Sequence, residues 1–174
     1  MSWQIDPAHS RVSFWVRHMM IAKVRGRFDK FSGVIDFNES DPEASKVNIE
    51  IEAASINTRE QQRDDHLRSP DFLDAANFPT LTFVSKRVEK TGEDTGKLIG
   101  DLTIRGISKE VTLDVEYAGQ AKSPWGMTSA GFSASTSINR KDWELNWNQV
   151  LETGGFLVGD KINIDIEVEI VKQA

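Results

Sequence analysis

Apolar and polar residues alternate strictly along the C-terminal stretch KINIDIEVEI, residues 161–170. Isoleucine or valine occupies every even position, and asparagine, aspartate or glutamate occupies every odd position from 163 onwards. A period of two indicates a β-strand that buries one face and exposes the other. The alternation recurs in Val47 to Ile51 and in Val111 to Tyr117, so the pattern predicts a protein built mainly from amphipathic strands.

Turn-forming residues separate these runs, as in NESDPEAS and KTGEDTGK. Strands and turns spaced in this way are typical of an antiparallel all-β sandwich or barrel. The segment 23–38 is expected as one bent strand or as two short ones, because Gly26 and Gly33 can each mark a β-bulge. The pattern predicts eight strands in total, at about 10–19, 23–38, 45–56, 79–90, 96–105, 109–120, 125–138 and 160–172.

Two stretches interrupt the alternation. The first, about 58–76, is predicted as a short helical excursion, because Thr58 and Gln61 have the spacing of a capping box and Pro70 would end the helix. The second, about 139–157, is predicted as an aromatic-rich loop. Its large apolar residues are Trp143, Trp147, Leu151 and Phe156.

Two of the predicted strands have unusual faces. HSRVSFWVRHMM is apolar on both sides, with Trp15 and Met19 opposite the Phe14 face, so its second face is expected to meet a helix or a partner subunit. GMTSAGFSASTSI consists mostly of small residues. If these residues face inward, they leave space for a ligand inside a barrel. Alternatively, Gly131 and Ala134 only ease a bend in the strand.

Composition narrows the possible functions. The 174 residues, with 39% hydrophobic and 28% charged residues, predict a single domain spanning 1–174. The net charge of −6 disfavours nucleic acid as a partner, since an acidic surface repels phosphates. The absence of cysteine excludes disulfides and thiol chemistry. With no secretory signal pattern at the N-terminus and no run long enough for a membrane helix, we expect a cytoplasmic protein without integral membrane association.

The segment RDDHLRS, residues 63–69, brings acids, a histidine and a serine together. Residues three and four apart share a helix face, so this order does not align a nucleophile, a base and an orienting group. We therefore interpret the cluster as caps and solvated surface charges, with no catalytic residues. The histidines at positions 9, 18 and 66 lack the spacing of a chelating pair, and no metal site is predicted.

Five stretches together resemble the YceI-like family of lipocalin-like, polyisoprenoid-binding barrels. They occur in the family's order over nearly the whole chain: WQIDPAHSRVSFWVRHMMIAKVRGRFDKFSG, RDDHLRSPDFLDAANFPTLTFVS, GDLTIRGISKEVTL, GFSASTSINRKDW and VGDKINIDIEVE. Phe72-Leu73-Asp74 departs from the usual two phenylalanines before the aspartate, and Trp143-Glu144 from the usual aromatic residue and glycine. Both departures fall in the interruptions, so we expect the width or the mouth of the cavity to differ.

The resemblance implies an all-β fold, an eight-stranded antiparallel lipocalin-like barrel around an elongated apolar pocket. It also implies a bound isoprenoid lipid, such as a quinone or a prenyl phosphate, a homodimer, and neither catalysis nor a further cofactor. Two alternatives stay open. One is an enzyme that acts on an isoprenoid or quinone through His18 or His66 and a nearby carboxylate, and the other is a structural, stress-related dimer with a filled core.

Alternation within the strands nominates the residues that would line such a pocket. They are Phe14, Val16, Phe28, Phe31, Phe83, Leu102, Val115 and Phe132. The alternative for each is packing in a filled core. The aromatic residues expected at the mouth or lid are Phe72, Phe78, Trp143 and Trp147. Arg17, His18 and Arg140 are candidates to meet a polar head group, and His18 is equally open to a role as a strand residue bonded to backbone.

Overall fold

The computed structural model describes residues 3–149, 151 and 157–173, and in this part of the chain eleven strands form one antiparallel sheet. The strands are β1 (Trp3–Ile5), β2 (Arg11–His18), β3 (Ala22–Phe28), β4 (Phe31–Asp36), β5 (Lys46–Glu52), β6 (Ile56–Asn57), β7 (Thr80–Lys90), β8 (Thr95–Ile104), β9 (Ile107–Lys122), β10 (Met127–Asn139) and β11 (Val158–Gln173). One α-helix, α1, spans Gln61–Arg68. Short 3-10 turns lie at Pro7–His9, Pro42–Ala44, Ala53–Ser55 and Arg140–Trp143.

The sheet closes into a barrel of eight strands. Neighbours follow the order β1-β4-β5-β7-β8-β9-β10-β11, and pairing of β1 with β11 closes the ring. Towards the other end of the barrel, β11 pairs with β2, which pairs with β3, which in turn pairs with β6. Three barrel strands are therefore each divided into two consecutive pieces: β1 with β2, β3 with β4, and β5 with β6. The predicted eight-stranded antiparallel barrel is confirmed.

The predicted strand 23–38 is two short strands, but neither predicted glycine marks the break. The break falls at Asp29 and Lys30, where the Asp29 amide donates to Ser55 O (3.0 Å) and the Glu52 amide donates to Lys30 O (3.0 Å). Gly26 instead lies opposite Phe14 across the β2–β3 pair, and a Cβ at position 26 would lie 2.5 Å from Cζ of that phenylalanine. The glycine therefore provides room for an inward-facing ring rather than a bend.

The barrel has two different ends. The helix end comprises α1, the β2–β3 turn at 19–21, the β8–β9 turn at 105–106 and the segment 140–149. The terminal end comprises β1, the end of β11 and the links 37–45, 91–94 and 123–126. Near the terminal end, Trp3, Ala130 and Ile170 are almost fully buried and form a core cluster of their own, to which β1, missing from the sequence prediction, contributes the tryptophan.

The excursion before β7 contains the predicted helix, but its N-terminus is not a capping box. Glu60 is the N-cap residue and makes no side-chain capping bond. Asp64 instead accepts hydrogen bonds from the amide (2.9 Å) and the hydroxyl (2.5 Å) of Thr58, and its side chain is buried. The interpretation of this segment's charges as surface groups was therefore wrong for Asp64. Arg68 donates to Ala54 O (2.8 Å) and Ile56 O (3.0 Å), which ties α1 to the β5–β6 link.

Trp15, on the second apolar face of β2, is covered within its own hairpin. Lys23 Nζ lies 4.2 Å from the centre of the Trp15 ring, and Arg17 Cζ lies 5.4 Å from it. Cations over an aromatic face are attracted by the ring quadrupole, so in the described residues this tryptophan packs under two cationic side chains. The expectation that a helix or a partner subunit meets this face stays a prediction for Met19, which is 43% exposed.

A glycine-to-alanine comparison tests the packing of the barrel wall. A Cβ at Gly100 would lie 2.5 Å from Val84 O and 2.6 Å from Phe83 Cζ. Because the carbonyl belongs to the neighbouring strand, we expect Gly100→Ala to lower the free energy of unfolding by about 1–3 kcal/mol, the usual cost of overpacking. Urea denaturation followed by circular dichroism measures this change.

Gly131→Ala is the matched control, because a Cβ there meets only Ala118 Cβ, at 3.6 Å. We expect this variant to be neutral or more stable by up to about 1 kcal/mol, through loss of chain entropy in the unfolded state. Equal destabilisation by the two substitutions would contradict the assigned close contact at Gly100.

Candidate functional site

A cavity of about 970 Å³ runs through the barrel. Its wall consists mainly of the inward-facing apolar residues of the strands, because alternate positions of every strand point to the barrel interior. β11 contributes five of them, Val158, Ile162, Ile164, Ile166 and Val168. This volume lies at the upper end of the range of about 300–1,000 Å³ that is usual for small-molecule pockets. The site is therefore an apolar chamber rather than a surface cleft.

The cavity wall includes all but two of the residues nominated from the sequence. Those that line it are Phe14, Val16, Arg17, His18, Phe28, Phe31, Phe72, Phe83, Leu102, Val115, Phe132, Arg140 and Trp147. Their part in ligand binding stays a prediction. The small-residue strand β10 also faces inward here with Ala134 and Thr136, so small side chains do border the cavity.

Phe78 and Trp143 do not line the cavity, contrary to the prediction that they lie at its mouth. Trp143 is 2% exposed, and its indole Nε1 donates to Leu102 O at 2.9 Å, so it anchors the segment after β10 in the core. Phe78 packs over the β8–β9 turn, where a Cβ at Gly106 would lie 2.9 Å from its ring. The position of these aromatic residues outside the strand pattern did not show whether they anchor a loop in the core or cover the mouth of the cavity.

Three rings gather where the cavity reaches the helix end. The centroid of the His66 ring lies 4.5 Å from that of Trp147 and 5.0 Å from that of Phe72, and the Phe72 and Trp147 centroids lie 5.4 Å apart. His66 Nε2 lies 2.9 Å from Asp71 Oδ2, so a carboxylate holds the imidazole in place. Phe72 and Trp147 thus border the cavity at this end. His66, which was predicted to be a surface residue, packs against both rings.

Basic residues border the cavity at the helix end. Arg17, His18, Arg63 and Arg140 all contribute to its wall, and the Arg17 guanidinium itself lies over Trp15 on the outer face of β2. Arg63 was not nominated from the sequence, because its neighbours were interpreted as solvated. It donates from Nε to Thr58 Oγ1 (2.8 Å) and from Nη2 to Thr58 O (2.9 Å), which directs the guanidinium along the excursion towards the barrel.

Arg140 is 2% exposed and serves mainly as an internal support. Its guanidinium donates to Gly159 O (2.9 Å), Trp147 O (2.9 Å) and Leu145 O, and its only carboxylate neighbour among the described residues is Asp160, with 3.9 Å between Nη2 and Oδ1. Burial lowers the pKa of Arg140, and the charge of Asp160 opposes that shift. Because carbonyl groups already occupy its donors, Arg140 shapes the mouth by fixing the 140–147 segment against β11.

The terminal end of the cavity has a different character. Phe37, Tyr117 and Phe132 pack there with ring centroids 5.1–5.7 Å apart. The polar residues that the cavity reaches at this end include the acids Glu39, Glu93 and Asp94 as well as two lysines, Lys90 and Lys97. Among the described lining residues of the helix end there is no carboxylate, so the two ends of the cavity differ in charge.

A sequence model of the YceI-like domain matches residues 3–170. The chain belongs to the YceI-like family. It is 38% identical over 169 residues to the UPF0312 protein SAS2572 of Staphylococcus aureus, covering 97% of this chain and 96% of that protein.

Solved structures of similar proteins share the fold. A Campylobacter jejuni YceI protein is 38% identical and superposes with a TM-score of 0.79, covering 91% of this chain and 90% of that chain. BcnA of Burkholderia cenocepacia is 25% identical with a TM-score of 0.82, covering 95% of this chain and 98% of that chain. A polyisoprenoid binding domain from Saccharophagus degradans has the same fold at 16% identity and a TM-score of 0.69, covering 97% of each chain.

The two departures from the family pattern have local structural consequences. Glu144, where the family usually has glycine, is the C-cap residue of the Arg140–Trp143 turn and adopts φ 60°, ψ 27°. Glycine is the usual residue in this left-handed conformation because it has no Cβ. Leu73, in place of a phenylalanine, is buried and lines the cavity beside Phe72, so the departure does affect the cavity wall.

The segment DPAHS, residues 6–10 in the first of the family-like stretches, forms a cluster on the outside of the barrel. His9 Nδ1 lies 2.7 Å from Asp6 Oδ2 and 3.1 Å from Glu169 Oε2. These are hydrogen-bond distances, so the cluster ties the Pro7–His9 turn to β11. The hydrogen bond that His9 donates to Asp6, together with the charges of Asp6 and Glu169, raises the pKa of His9.

None of the helices in the described residues has the length and hydrophobicity of a membrane span.

The His9 cluster predicts a specific pH dependence. A raised pKa in the folded state means that the protonated imidazole stabilises the fold below the unfolded value of about 6.5. This contribution is lost as the pH rises through the higher folded value. We expect the His9 ring signals in a nuclear magnetic resonance titration to have a midpoint above 6.5, and Glu169→Gln to move that midpoint down. A midpoint unaffected by Glu169→Gln would show that this carboxylate does not contribute.

Proposed function

We propose that the protein binds the prenyl tail of an isoprenoid lipid inside the barrel and stores or carries it without catalysing a reaction. The observation that supports this most directly is the apolar cavity of about 970 Å³ along the barrel. A cavity of this size also weighs against the alternative of a filled, purely structural core. The relative from Saccharophagus degradans, described as a polyisoprenoid binding domain, supports the same class of ligand.

Burial of the tail supplies the driving force. A strand of about 10 residues rises roughly 33 Å along its own direction, and although strand tilt shortens that span, a chain of several isoprene units fits lengthwise. Each buried methylene contributes about 0.8 kcal/mol before the entropic cost of ordering the tail. Discrimination between tails would then depend on the depth of the cavity rather than on hydrogen bonds.

Charge at the two ends favours one orientation of the ligand. His18 and Arg63 line the helix end, whereas the terminal end includes three acids and two lysines. An anionic head group is therefore more favourable at the helix end, with the tail pointing towards the terminal end. Of the two head groups considered, a phosphate profits from this arrangement more than a neutral quinone does.

The direct test is to identify what the purified protein contains. Organic extraction followed by mass spectrometry is expected to recover a prenyl lipid, and native mass spectrometry is expected to show one prenyl diphosphate per chain after loading. Repeated failure both to extract and to load any prenyl compound would reject the proposal. Homodimer formation stays a prediction, which analytical ultracentrifugation measures.

The pair His66 and Asp71 favours a second candidate, an enzyme that acts on the bound isoprenoid. A carboxylate 2.9 Å from Nε2 orients an imidazole at the cavity wall, as in general base catalysis. Turnover of prenyl diphosphates or quinones that is lost in His66→Gln would support this candidate. Binding of the same compounds without turnover would contradict this candidate and leave storage or transport as the function.

A substitution on β10 tests whether the tail occupies the cavity. Ala134 lines the cavity, and Ala134→Phe would fill part of it. We expect the affinity for geranylgeranyl diphosphate to fall by about tenfold or more, because each methylene displaced from the cavity costs about 0.8 kcal/mol. Isothermal titration calorimetry measures the change.

Ser135→Phe is the matched control. Ser135 is the next residue, exposed on the outer face of the same strand, so the same side chain is added outside the barrel. Its affinity for the diphosphate is expected to equal that of the original protein. If Ala134→Phe binds as tightly as Ser135→Phe, the tail does not occupy this part of the barrel.

The head-group assignment generates a further prediction for Arg63. Replacing the cation in Arg63→Gln is expected to weaken geranylgeranyl diphosphate binding by about tenfold, the effect of losing one charge-assisted hydrogen bond of roughly 1.5 kcal/mol. Binding of geranylgeraniol, which has no charge, is expected to stay the same. Calorimetry with both ligands separates the two effects, and an equal loss for the alcohol would count against a phosphate contact.

A further inference from the structure

The β2–β3 turn presents consecutive large apolar side chains to solvent. Met19 is 43% exposed, Met20 is 65% exposed and Ile21 is 81% exposed. Isolated apolar residues on a surface need no explanation, but a contiguous exposed group marks a site of interaction. These residues form the tip of the hairpin and lie at the helix end of the barrel.

The backbone of this tip is unusual for the residues that occupy it. Met19 has φ 53° and Met20 has φ 65°, and the Ile21 amide donates to His18 O at 3.2 Å to close the turn. Two central residues with positive φ are usually asparagine or glycine, because other side chains are strained there. Two methionines in such a turn carry a conformational cost, and burial within the fold does not offset it for Met20, which is 65% exposed.

Basic residues flank the tip on the outer face of the hairpin. Lys23, Arg25 and Arg17 are exposed, and in the described part of the chain none of the three forms an ion pair with a carboxylate. Trp15 lies beneath Lys23 and Arg17 on the same face. The whole protein carries a net charge of −6, so this hairpin is a local cationic region on an otherwise acidic molecule.

The tip adjoins the helix end of the cavity. Arg17 and His18, the residues that precede the turn, line the cavity, and the Met19 amide donates to Leu157 O at 2.8 Å. A lipid that enters or leaves between the hairpin and α1 would therefore pass beside the tip. Exposed apolar side chains, an aromatic ring and flanking cations are together the features that bind the interface of an anionic bilayer.

We propose that the β2–β3 hairpin docks the helix end of the barrel onto an anionic lipid surface, with Met20 and Ile21 entering the interface and Lys23 and Arg25 contacting lipid phosphates. This inference rests on the proposed function, since docking places the cavity where a prenyl lipid is exchanged. The alternative occupant is an acidic protein surface. Its charges would pair with the cations, but they would not account for the protruding apolar side chains of the turn.

Co-sedimentation with vesicles tests the docking surface. The protein is expected to bind vesicles of equimolar phosphatidylcholine and phosphatidylglycerol, to bind phosphatidylcholine vesicles weakly, and to lose affinity as salt is added. We expect the double variants Met20→Asn/Ile21→Ser and Lys23→Gln/Arg25→Gln each to weaken binding to the anionic vesicles by about tenfold or more. Asparagine tolerates the positive φ of position 20, and thermal unfolding checks that each variant is folded.

Trp125→Ser is the matched control, because Trp125 is 86% exposed in the β9–β10 turn at the opposite end of the barrel. It is expected to bind anionic vesicles as the original protein does. Equal binding by the tip variants and the original protein, or an equal loss in Trp125→Ser, would overturn the assignment. So would binding of soluble polyglutamate by the tip in place of vesicles, which would identify an acidic polypeptide as the partner.

A loading experiment separates this inference from the proposed function. Geranylgeraniol is supplied either from ethanol or within anionic vesicles, and uptake is measured by mass spectrometry. The tip variants are expected to take up the alcohol normally from ethanol and about tenfold more slowly from vesicles, in line with their weaker docking. If the original protein takes up nothing from ethanol, the proposed function fails. Normal uptake from ethanol without any vesicle binding overturns only the docking surface.

Discussion

The pairing of β11 with strands on both of its sides is the constraint on which the rest of the structure depends. β10 pairs with it from Met127 to Asn139, and β2 and β1 pair with successive parts of its other edge. Without those pairs the sheet would present two open edges with unpaired backbone groups. Its inward residues would also lose the opposite wall that encloses them. Closure thus creates both the hydrogen-bond network and the enclosed volume.

The closed barrel still encloses a cavity because large and small residues lie side by side on neighbouring strands. Phe14 lies against Gly26, and Phe83 lies against Gly100, so these rings lie close to the sheet instead of projecting to the axis. Ala134 and Thr136 on β10 leave further space. An eight-stranded barrel has room for interior side chains or for one small ligand, and this distribution of sizes favours the ligand.

Charge gives the barrel a direction that its strands alone lack. The helix end combines a buried arginine, which organises the 140–147 segment, with arginines and histidines that border the cavity. The terminal end combines packed aromatic rings with acids. The exposed hairpin tip lies at the same end as these arginines, so the proposed head-group site and the proposed docking surface share one side of the molecule.

Period-two alternation determined much of this protein by itself, because an alternating strand has a defined inner and outer face wherever it is buried. It placed Phe83, Leu102 and Val115 on the inner face, and the family resemblance supplied closure into a barrel. The break at Asp29 and the anchoring of Trp143 depend on partners distant in the sequence, Ser55 and Leu102. The burial of Asp64 depends on hydrogen bonds from nearby Thr58, which the capping-box spacing did not predict. The open interior was likewise decided by the tertiary structure. Alternation states which side chains point inward, whereas the space between them depends on how far apart the opposing strands lie.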